Sequence, residues 1–249
     1  MVSEESYFAA SIRSEIRRII RKWNDLAQPL PLILNIDRPS DRPRYLVRFQ
    51  MHPDIPPAGE GLRYRAKSLI LPEERLQDLV YDFARAVWHF RDWLLRWQKV
   101  TNAQIEPLKH AKQCDDLLIA GDLINKKKHG ENKNISQRDP WLGLVHFDIS
   151  KSGVVEFWYN GVSKQGILFV TNQNAIHYWI NIYAGDGSGL PGDESSQENL
   201  TLIGDASDVL LRGFLHWIPL VRKSRVLVPG EPESDGLIEW LREAGASWQ

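Results

Sequence analysis

The feature that most constrains the fold is an apolar stripe through residues 73–97. Its side chains recur at spacings of three and four residues, which is the period of an α-helix. These side chains are Leu76, Leu79, Val80, Phe83, Val87, Phe90, Leu94 and Trp97. Trp88, Trp93 and Leu95 add apolar surface outside the stripe. The pattern therefore predicts a central helix of about seven turns that packs on several sides.

Four more segments have a helical period. Residues 1–27 carry an apolar stripe that includes Ile12 and Ile16, and Pro29 ends this helix because proline has no backbone N–H. The arginines of this segment lie mostly off the stripe, where they form either a solvated face or a face that meets phosphate. The other predicted helices are 105–128, 206–220 and 237–243, with a linker at 229–236.

The remaining ordered segments alternate with the period of a β-strand. Strands are predicted at 32–37 and 44–51, and after Pro140 at 141–149, 154–159, 166–171 and 175–183. Turn residues separate the last four, which predicts antiparallel pairing. Residues 185–199 are predicted to be a polar loop, and 62–71 are left unassigned.

These elements predict an α+β fold with a predominantly helical core. Its small antiparallel sheet, at about 141–184, is inserted before the last long helix. The 249 residues suffice for one large domain or two small ones. We predict an N-terminal helix and β-hairpin extension at 1–71, the helical core with its sheet at 72–228, and a linker with a short helix at 229–249.

Composition narrows the classes of function. Lys and Arg total 31 and Asp and Glu total 32, so the net charge of −1 argues against a globally basic nucleic-acid binder. A single cysteine excludes an internal disulfide, and no Cys/His cluster has zinc-site spacing, so no metal or cofactor is expected. Without a signal peptide or a membrane-length apolar run, we expect a cytoplasmic protein.

The end of the second long helix mixes apolar and polar side chains on one face. Spacings of three and four residues align Asp115, Leu118, Asp122, Asn125 and His129. The cations near the helix end are explained by the helix dipole, but Asp and Asn are unfavourable inside a helix. The face is therefore either a buried polar network or one side of a groove.

The central helix carries its own ionisable pair, Arg91 and Asp92, among apolar residues. Buried charges need partners, because an unpaired one costs several kcal/mol. We expect those partners on the second helix. Asp92 is predicted to orient His129 or to bind Lys128, and Arg91 is predicted to meet Asp122.

Two motifs resemble a known group of proteins. Trp88-His89-Phe90-Arg91-Asp92-Trp93-Leu94, followed by Asp122-x-x-Asn125-x-x-Lys128-His129, resembles a group of uncharacterised bacterial helical proteins. Similar Asn-x-x-x-His helix ends occur in the HEPN superfamily, an all-α fold of RNases from toxin–antitoxin, CRISPR and phage-defence systems. The resemblance covers about residues 73–130. Active HEPN nucleases often place Arg directly before this Asn, where this chain has Ile124.

The resemblance implies an HEPN-like helical bundle that binds RNA, as a homodimer that brings two copies of the helix end together. It implies that His129 is a general acid/base and that Lys127, Lys128 or Arg91 stabilises the scissile phosphate. The candidate catalytic residues are His129, Asn125, Lys128, Arg91 and Asp92. The candidate RNA-binding residues are Lys126, Lys127, Lys133 and Arg138.

Two hypotheses of function follow. In the first, the chain binds or cleaves RNA, and as an enzyme it is a metal-independent endoribonuclease. In the second, it is a non-catalytic scaffold or partner-binding protein, and the polar face is a buried network. The lysine cluster at 126–128 favours the first hypothesis. The missing Arg and the net charge of −1 favour the second.

Overall fold

The computed structural model describes helices and the strands of one sheet. The described residues are 3–27, 45–51, 65–68, 73–129, 135–149, 154–160, 165–170, 176–185 and 201–245. Within them the fold is α+β and dominated by helices, which confirms the predicted fold class. None of the helices in these ranges is long and apolar enough to cross a membrane.

The described residues form seven helices and seven strands. The helices are α1 (Glu4–Ala27), α2 (Glu73–Thr101), α3 (Pro107–Ala111), α4 (Asp115–His129), α5 (Ala206–Leu215), α6 (Ile218–Lys223) and α7 (Pro232–Glu243). The strands are β1 (Tyr45–Met51), β2 (Arg65–Ser68), β3 (Pro140–Ile149), β4 (Val154–Asn160), β5 (Gln165–Val170), β6 (Ile176–Ala184) and β7 (Thr201–Asp205).

All seven described strands belong to one antiparallel sheet in the order β4-β5-β1-β2-β3-β6-β7. β1 lies between β5 and β2, with Tyr45 opposite Val170 and Phe49 opposite Ser68. The sheet is therefore larger than the predicted insertion at 141–184, because it also takes in β1, β2 and β7. The domain division at residue 71 stays a prediction, and the β1–β5 pairing crosses it.

The core is centred on α2, as its apolar stripe predicts. Phe83, Phe90 and Leu94 are fully buried. Phe90 makes an edge contact with Phe214 of α5, with ring centroids 5.9 Å apart. Trp217 is fully buried beyond the end of α5, and its indole N–H donates to the Val87 carbonyl at 3.0 Å. Helices α1, α4 and α5 pack around α2, and this packing fixes the position of the α4 face.

Glycine permits the close approach of α2 and α4. A Cβ atom on Gly121 of α4 would lie 3.1 Å from the ring of Trp88 on α2. Near the other end of the contact, Lys127 of α4 forms an ion pair with Asp78 of α2. The two helices therefore run antiparallel, with the C-terminal end of α4 beside the N-terminal part of α2.

Two helices predicted as continuous are each interrupted. The segment 105–128 forms α3 and α4, because Gln113 N–H bonds the His110 carbonyl at 3.1 Å, a spacing of three residues that tightens the chain and stops the α-helix. The segment 206–220 forms α5 and α6 for the same reason, since Trp217 N–H bonds the Phe214 carbonyl at 2.9 Å. Both segments are helical, as predicted, but each forms two helices where one continuous helix was predicted.

The prediction of a linker over 229–236 was also wrong. Helix α7 already begins at Pro232, with proline in its first turn and Glu233 and Asp235 beside the positive end of the helix dipole. Two strands were not predicted. Strand β2 lies inside the segment 62–71, which the sequence leaves unassigned, and β7 comes just after the predicted loop 185–199. The predicted strand 32–37, and the predicted loop 185–199 apart from residue 185, lie outside the described residues.

Candidate functional site

The polar face of α4 is organised by Asp122, which is 0% exposed. Its two carboxylate oxygens accept the backbone N–H groups of Ile135 and Ser136, each at 2.7 Å. A carboxylate with two such bonds satisfies its own buried charge and fixes the chain that donates them. Asp122 therefore ties the segment after α4 back onto the helix, which explains an Asp in a helix interior.

Lys126 lies one turn further along α4 and reaches the same returning segment. Its ammonium donates to Asp139 Oδ1 at 2.9 Å and lies over the ring of Trp141. The Trp141 indole N–H donates to the other carboxylate oxygen of Asp139 at 3.2 Å. Burial lowers the pKa of Lys126, and the bond to Asp139 and the charges of Asp139 and Asp122 act against this shift. We call Asp122, Lys126, Asp139 and Trp141 the α4 anchor.

The other described candidate RNA contacts are also ion-paired. Lys127 binds Asp78 of α2, and its ammonium lies 4.3 Å from the ring centroid of Tyr81. Burial raises the pKa of Tyr81, and the charge of Asp78 raises it further. Arg138 binds Asp115 at 2.7 Å, with both side chains about half exposed or more. Lys133 lies outside the described residues.

Three candidate catalytic residues lie at or near the C-terminal end of α4. Asn125 is half-buried and Lys128 is exposed. His129 is the last residue of α4, and its side chain falls outside the described part of the structure. The structure thus places these three residues on the last two turns of one helix, as their spacing predicts.

Arg91 and Asp92 have partners on their own helix. The Asp92 carboxylate accepts from His89 Nδ1 at 3.0 Å and from Arg91 Nε at 3.2 Å, and the Arg91 guanidinium lies 4.6 Å from the ring centroid of Trp88. Burial alone would raise the pKa of Asp92. The bond from His89 and the charge of Arg91 outweigh burial and lower that pKa.

The predicted pairing of Arg91 with Asp122 is therefore wrong, because the Asp122 carboxylate binds backbone N–H groups of 135–136. The structure also does not bring Arg91 to the end of α4. Lys127 contacts α2 at Asp78 and Tyr81, and Arg91 is ten residues beyond Tyr81. At 1.5 Å per residue, that is a separation of about 15 Å along α2. The predicted contact of Asp92 with Lys128 is wrong for the same reason. The predicted contact of Asp92 with His129 involves a side chain outside the described part of the structure and stays a prediction.

Sequence reasoning did not find a polar groove at the opposite end of α2. Its volume is about 450 Å³, and it lies where the end of α2 meets α3 and α6. Its polar lining includes Gln98, Lys109, His110 and Lys223. His110 also contacts His216, which lies 106 positions away in sequence. A separation of this size leaves no spacing pattern from which the contact could be predicted.

The described residues contain no group of three or more His, Cys, Asp or Glu side chains that could hold a metal ion. No family model, curated protein or solved structure matches the chain. The resemblance to HEPN proteins therefore stays a prediction that depends on the two motifs. The contacts of the α4 face are the observations from which a function can be inferred.

Proposed function

We propose that this chain is a non-catalytic protein that acts by binding a protein partner, with the polar face of α4 as part of its framework. One observation carries the proposal. Each described candidate RNA-binding cation is bound by a carboxylate of the same chain: Lys126 by Asp139, Lys127 by Asp78 and Arg138 by Asp115. A phosphate would have to compete with these carboxylates for the same donors, most of all with Asp139, whose pair with Lys126 is the least exposed of the three.

The α4 anchor is the least accessible part of this face. The side chains of Lys126 and Asp139 are only 14% and 18% exposed. Breaking a buried ion pair leaves an uncompensated charge, so displacement of Asp139 by phosphate is costly. Lysine is also a weaker phosphate clamp than the bidentate arginine of the HEPN motif. These features support a structural role for the anchor.

RNA binding is the second candidate function, and Lys128 is the observation that favours it. This lysine is exposed near the C-terminal end of α4, between Asn125 and His129 in sequence. It could reach a phosphate while Lys126 and Lys127 keep their carboxylates. In this alternative His129 acts as general acid/base, as the resemblance implies.

Cleavage of RNA separates the two candidates. The native protein and a His129→Ala variant would be incubated in EDTA with a labelled RNA of mixed sequence. We expect no cleavage by either protein. Metal-independent cleavage that is lost in the variant would contradict the non-catalytic proposal and establish an HEPN-type ribonuclease.

RNA binding without cleavage needs its own measurement. Phosphate contacts release counterions, so affinity would fall steeply between about 50 and 200 mM salt. We expect at most weak binding that Lys128→Ala leaves unchanged. Salt-dependent binding that Lys128→Ala weakens several-fold, with Lys109→Ala on α3 as the control, would favour the RNA candidate.

A second copy of the chain is the protein partner we propose first, because the resemblance implies a homodimer. Size-exclusion chromatography with light scattering gives the mass in solution. A homodimer has about twice the 28.7 kDa of one chain. A mass near 28.7 kDa at all concentrations would eliminate the homodimer and leave a different protein as the partner.

A further inference from the structure

Two histidines from distant parts of the chain stack against each other. His110 lies on α3, and His216 lies in the turn between α5 and α6. Their ring centroids are 4.1 Å apart, and the ring planes are 22° from parallel. Each ring also bonds the other residue's backbone. His110 Nε2 donates to the His216 carbonyl at 2.5 Å, and His216 Nε2 donates to the His110 carbonyl at 3.3 Å.

The acceptors in these two bonds determine the protonation chemistry. A carbonyl oxygen can only accept, so each Nε2 must carry a hydrogen. In a neutral ring Nδ1 is then the free nitrogen, and the next proton binds there. Both hydrogen bonds are therefore the same for neutral and charged rings. Protonation changes only the charge, and two protonated rings would place like charges face to face.

Charged groups around the pair come from α4, α5 and α6 and from α3 with the residue that precedes it. Asp116 of α4 lies close enough to favour protonation of His216, but its carboxylate is bound by Arg212 of α5 at 2.9 Å. Lys109, Glu106 and Lys223 line the groove beside His110. The surroundings thus hold three cations and two carboxylates, and the carboxylates are engaged: Asp116 by Arg212, and Glu106 by Lys109 at 3.2 Å.

On balance these surroundings oppose protonation of His216. Burial lowers the pKa of His216, and the charge of His110 lowers it further, whereas the hydrogen bond to the His110 backbone and the charge of Asp116 raise it. The net effect is a histidine that stays neutral to lower pH than an exposed one. The ring of Trp217 packs near His110, with the two ring centroids 5.9 Å apart, and adds no charge.

We propose that the His110–His216 pair is a pH-sensitive latch, which holds α3 against the α5–α6 turn while the rings are neutral and releases α3 when both are charged. α3 has only five residues, and the His110–His216 stack, its two hydrogen bonds and the ring of Trp217 join it to the α5–α6 turn. A short helix held this way can open locally while the core around α2 stays folded. Release would change the shape of the adjacent groove, because His110 lines it.

Hydrogen exchange followed by mass spectrometry tests the latch. The native protein would be compared at about pH 7.5 and about pH 5, with rates corrected for the intrinsic pH dependence of exchange. We expect the protection of residues 107–113 to fall about tenfold or more at the lower pH, while peptides from α2 stay protected. Loss of protection in α2 as well would indicate general acid unfolding and would overturn the proposal.

The double variant His110→Gln with His216→Gln tests the mechanism. Glutamine keeps an N–H donor for each carbonyl but cannot become charged. We therefore expect residues 107–113 of the double variant to be equally protected at both pH values. His89→Gln is the matched control, because His89 lies on α2 outside the pair and should leave the native response unchanged. Equal loss of protection in the double variant and the native protein would overturn the latch.

A titration of the native protein keeps the proposal testable if the double variant does not fold at neutral pH. The ring protons of His216, assigned by NMR, would report its protonation directly. We expect its midpoint below the ordinary value of 6.5. A midpoint at or above 6.5 would contradict the expected opposition to protonation of His216. Native protection of 107–113 that is equal at both pH values would show that the pair is not a pH-sensitive element and would overturn the latch.

Discussion

Asp122 is the residue on which the path of the chain after α4 depends most directly. Asp122→Ala would remove the charged acceptor of the N–H groups of Ile135 and Ser136. A hydrogen bond to a charged group contributes about 1.5–3 kcal/mol, so we expect the free energy of unfolding to fall by about 2–4 kcal/mol. Urea denaturation at neutral pH measures this loss.

The control for this prediction is Asp115→Ala on the same helix. Asp115 pairs with Arg138, but its side chain is 61% exposed. Exposed pairs contribute about 0–1 kcal/mol, so the control should lose little stability. Equal losses in the two variants would show that the buried bonds of Asp122 do not determine the stability of this region.

Asp92 gives a prediction for acid conditions. Its pKa in the folded chain lies below the ordinary 3.8, with burial opposed by His89 and Arg91. Because this pKa is lower than the ordinary 3.8 of the unfolded chain, the charged form of Asp92 stabilises the fold. This contribution is complete above pH 3.8 and is lost as the pH falls through the pKa of the folded chain. Asp92→Asn should therefore be less stable than the native protein above 3.8, with the difference shrinking below it. Thermal melts across this range measure the difference, and one that grows on acidification would contradict the prediction.

At the scale of elements, the contact between α4 and α5 depends on a small residue. A Cβ on Gly213 of α5 would lie 3.3 Å from the backbone carbon of Asp116, and backbone cannot move aside as a side chain can. Gly236 of α7 has nothing within 4 Å of such a Cβ. Gly236→Ala should stabilise the chain by about 0.5–1 kcal/mol through helix propensity.

Gly213→Ala should fail to gain this stability or should lose some, because the methyl group pushes α5 away from α4. We expect the two variants to differ by about 1 kcal/mol or more in chemical denaturation. The same stabilisation in both would mean that α5 and α4 can separate without cost.

The elements differ in how far the sequence predicts them. The stripe of α2 predicts its helix because every turn repeats the same local pattern. The break between α3 and α4 has no such signal, since it depends on a few backbone hydrogen bonds at Gln113 and Cys114.

The candidate site was also predicted only in part. Spacing places Asp122 and Asn125 on one face of α4, but the partners of Asp122 come from a segment whose backbone has positive φ at Gln137 and Asp139. Such a path is set by tertiary contacts, so the sequence could not predict which groups would pair.

At the scale of the whole molecule, the described residues of the segment 1–71 belong to the same core and sheet as the rest: α1 packs in the core, and β1 and β2 lie in the sheet. Ile12, Ile16 and Ile19 of α1 are fully buried, and α1 packs on α2. Strand β1 is an interior strand that separates β5 from β2. The extension predicted from sequence therefore supplies buried side chains of the core and two strands of the sheet.

Removal of residues 1–71 should abolish cooperative folding. Truncating a single buried isoleucine to alanine costs about 2–5 kcal/mol, and typical domains are stable by only about 5–15 kcal/mol. Loss of three such side chains together with two strands exceeds that range. We expect residues 72–249 alone to melt without a cooperative transition in circular dichroism, whereas Ile16→Ala in the full chain should still melt cooperatively at a lower temperature. A sharp transition for 72–249 near that of the full chain would show that 1–71 is an independent extension after all.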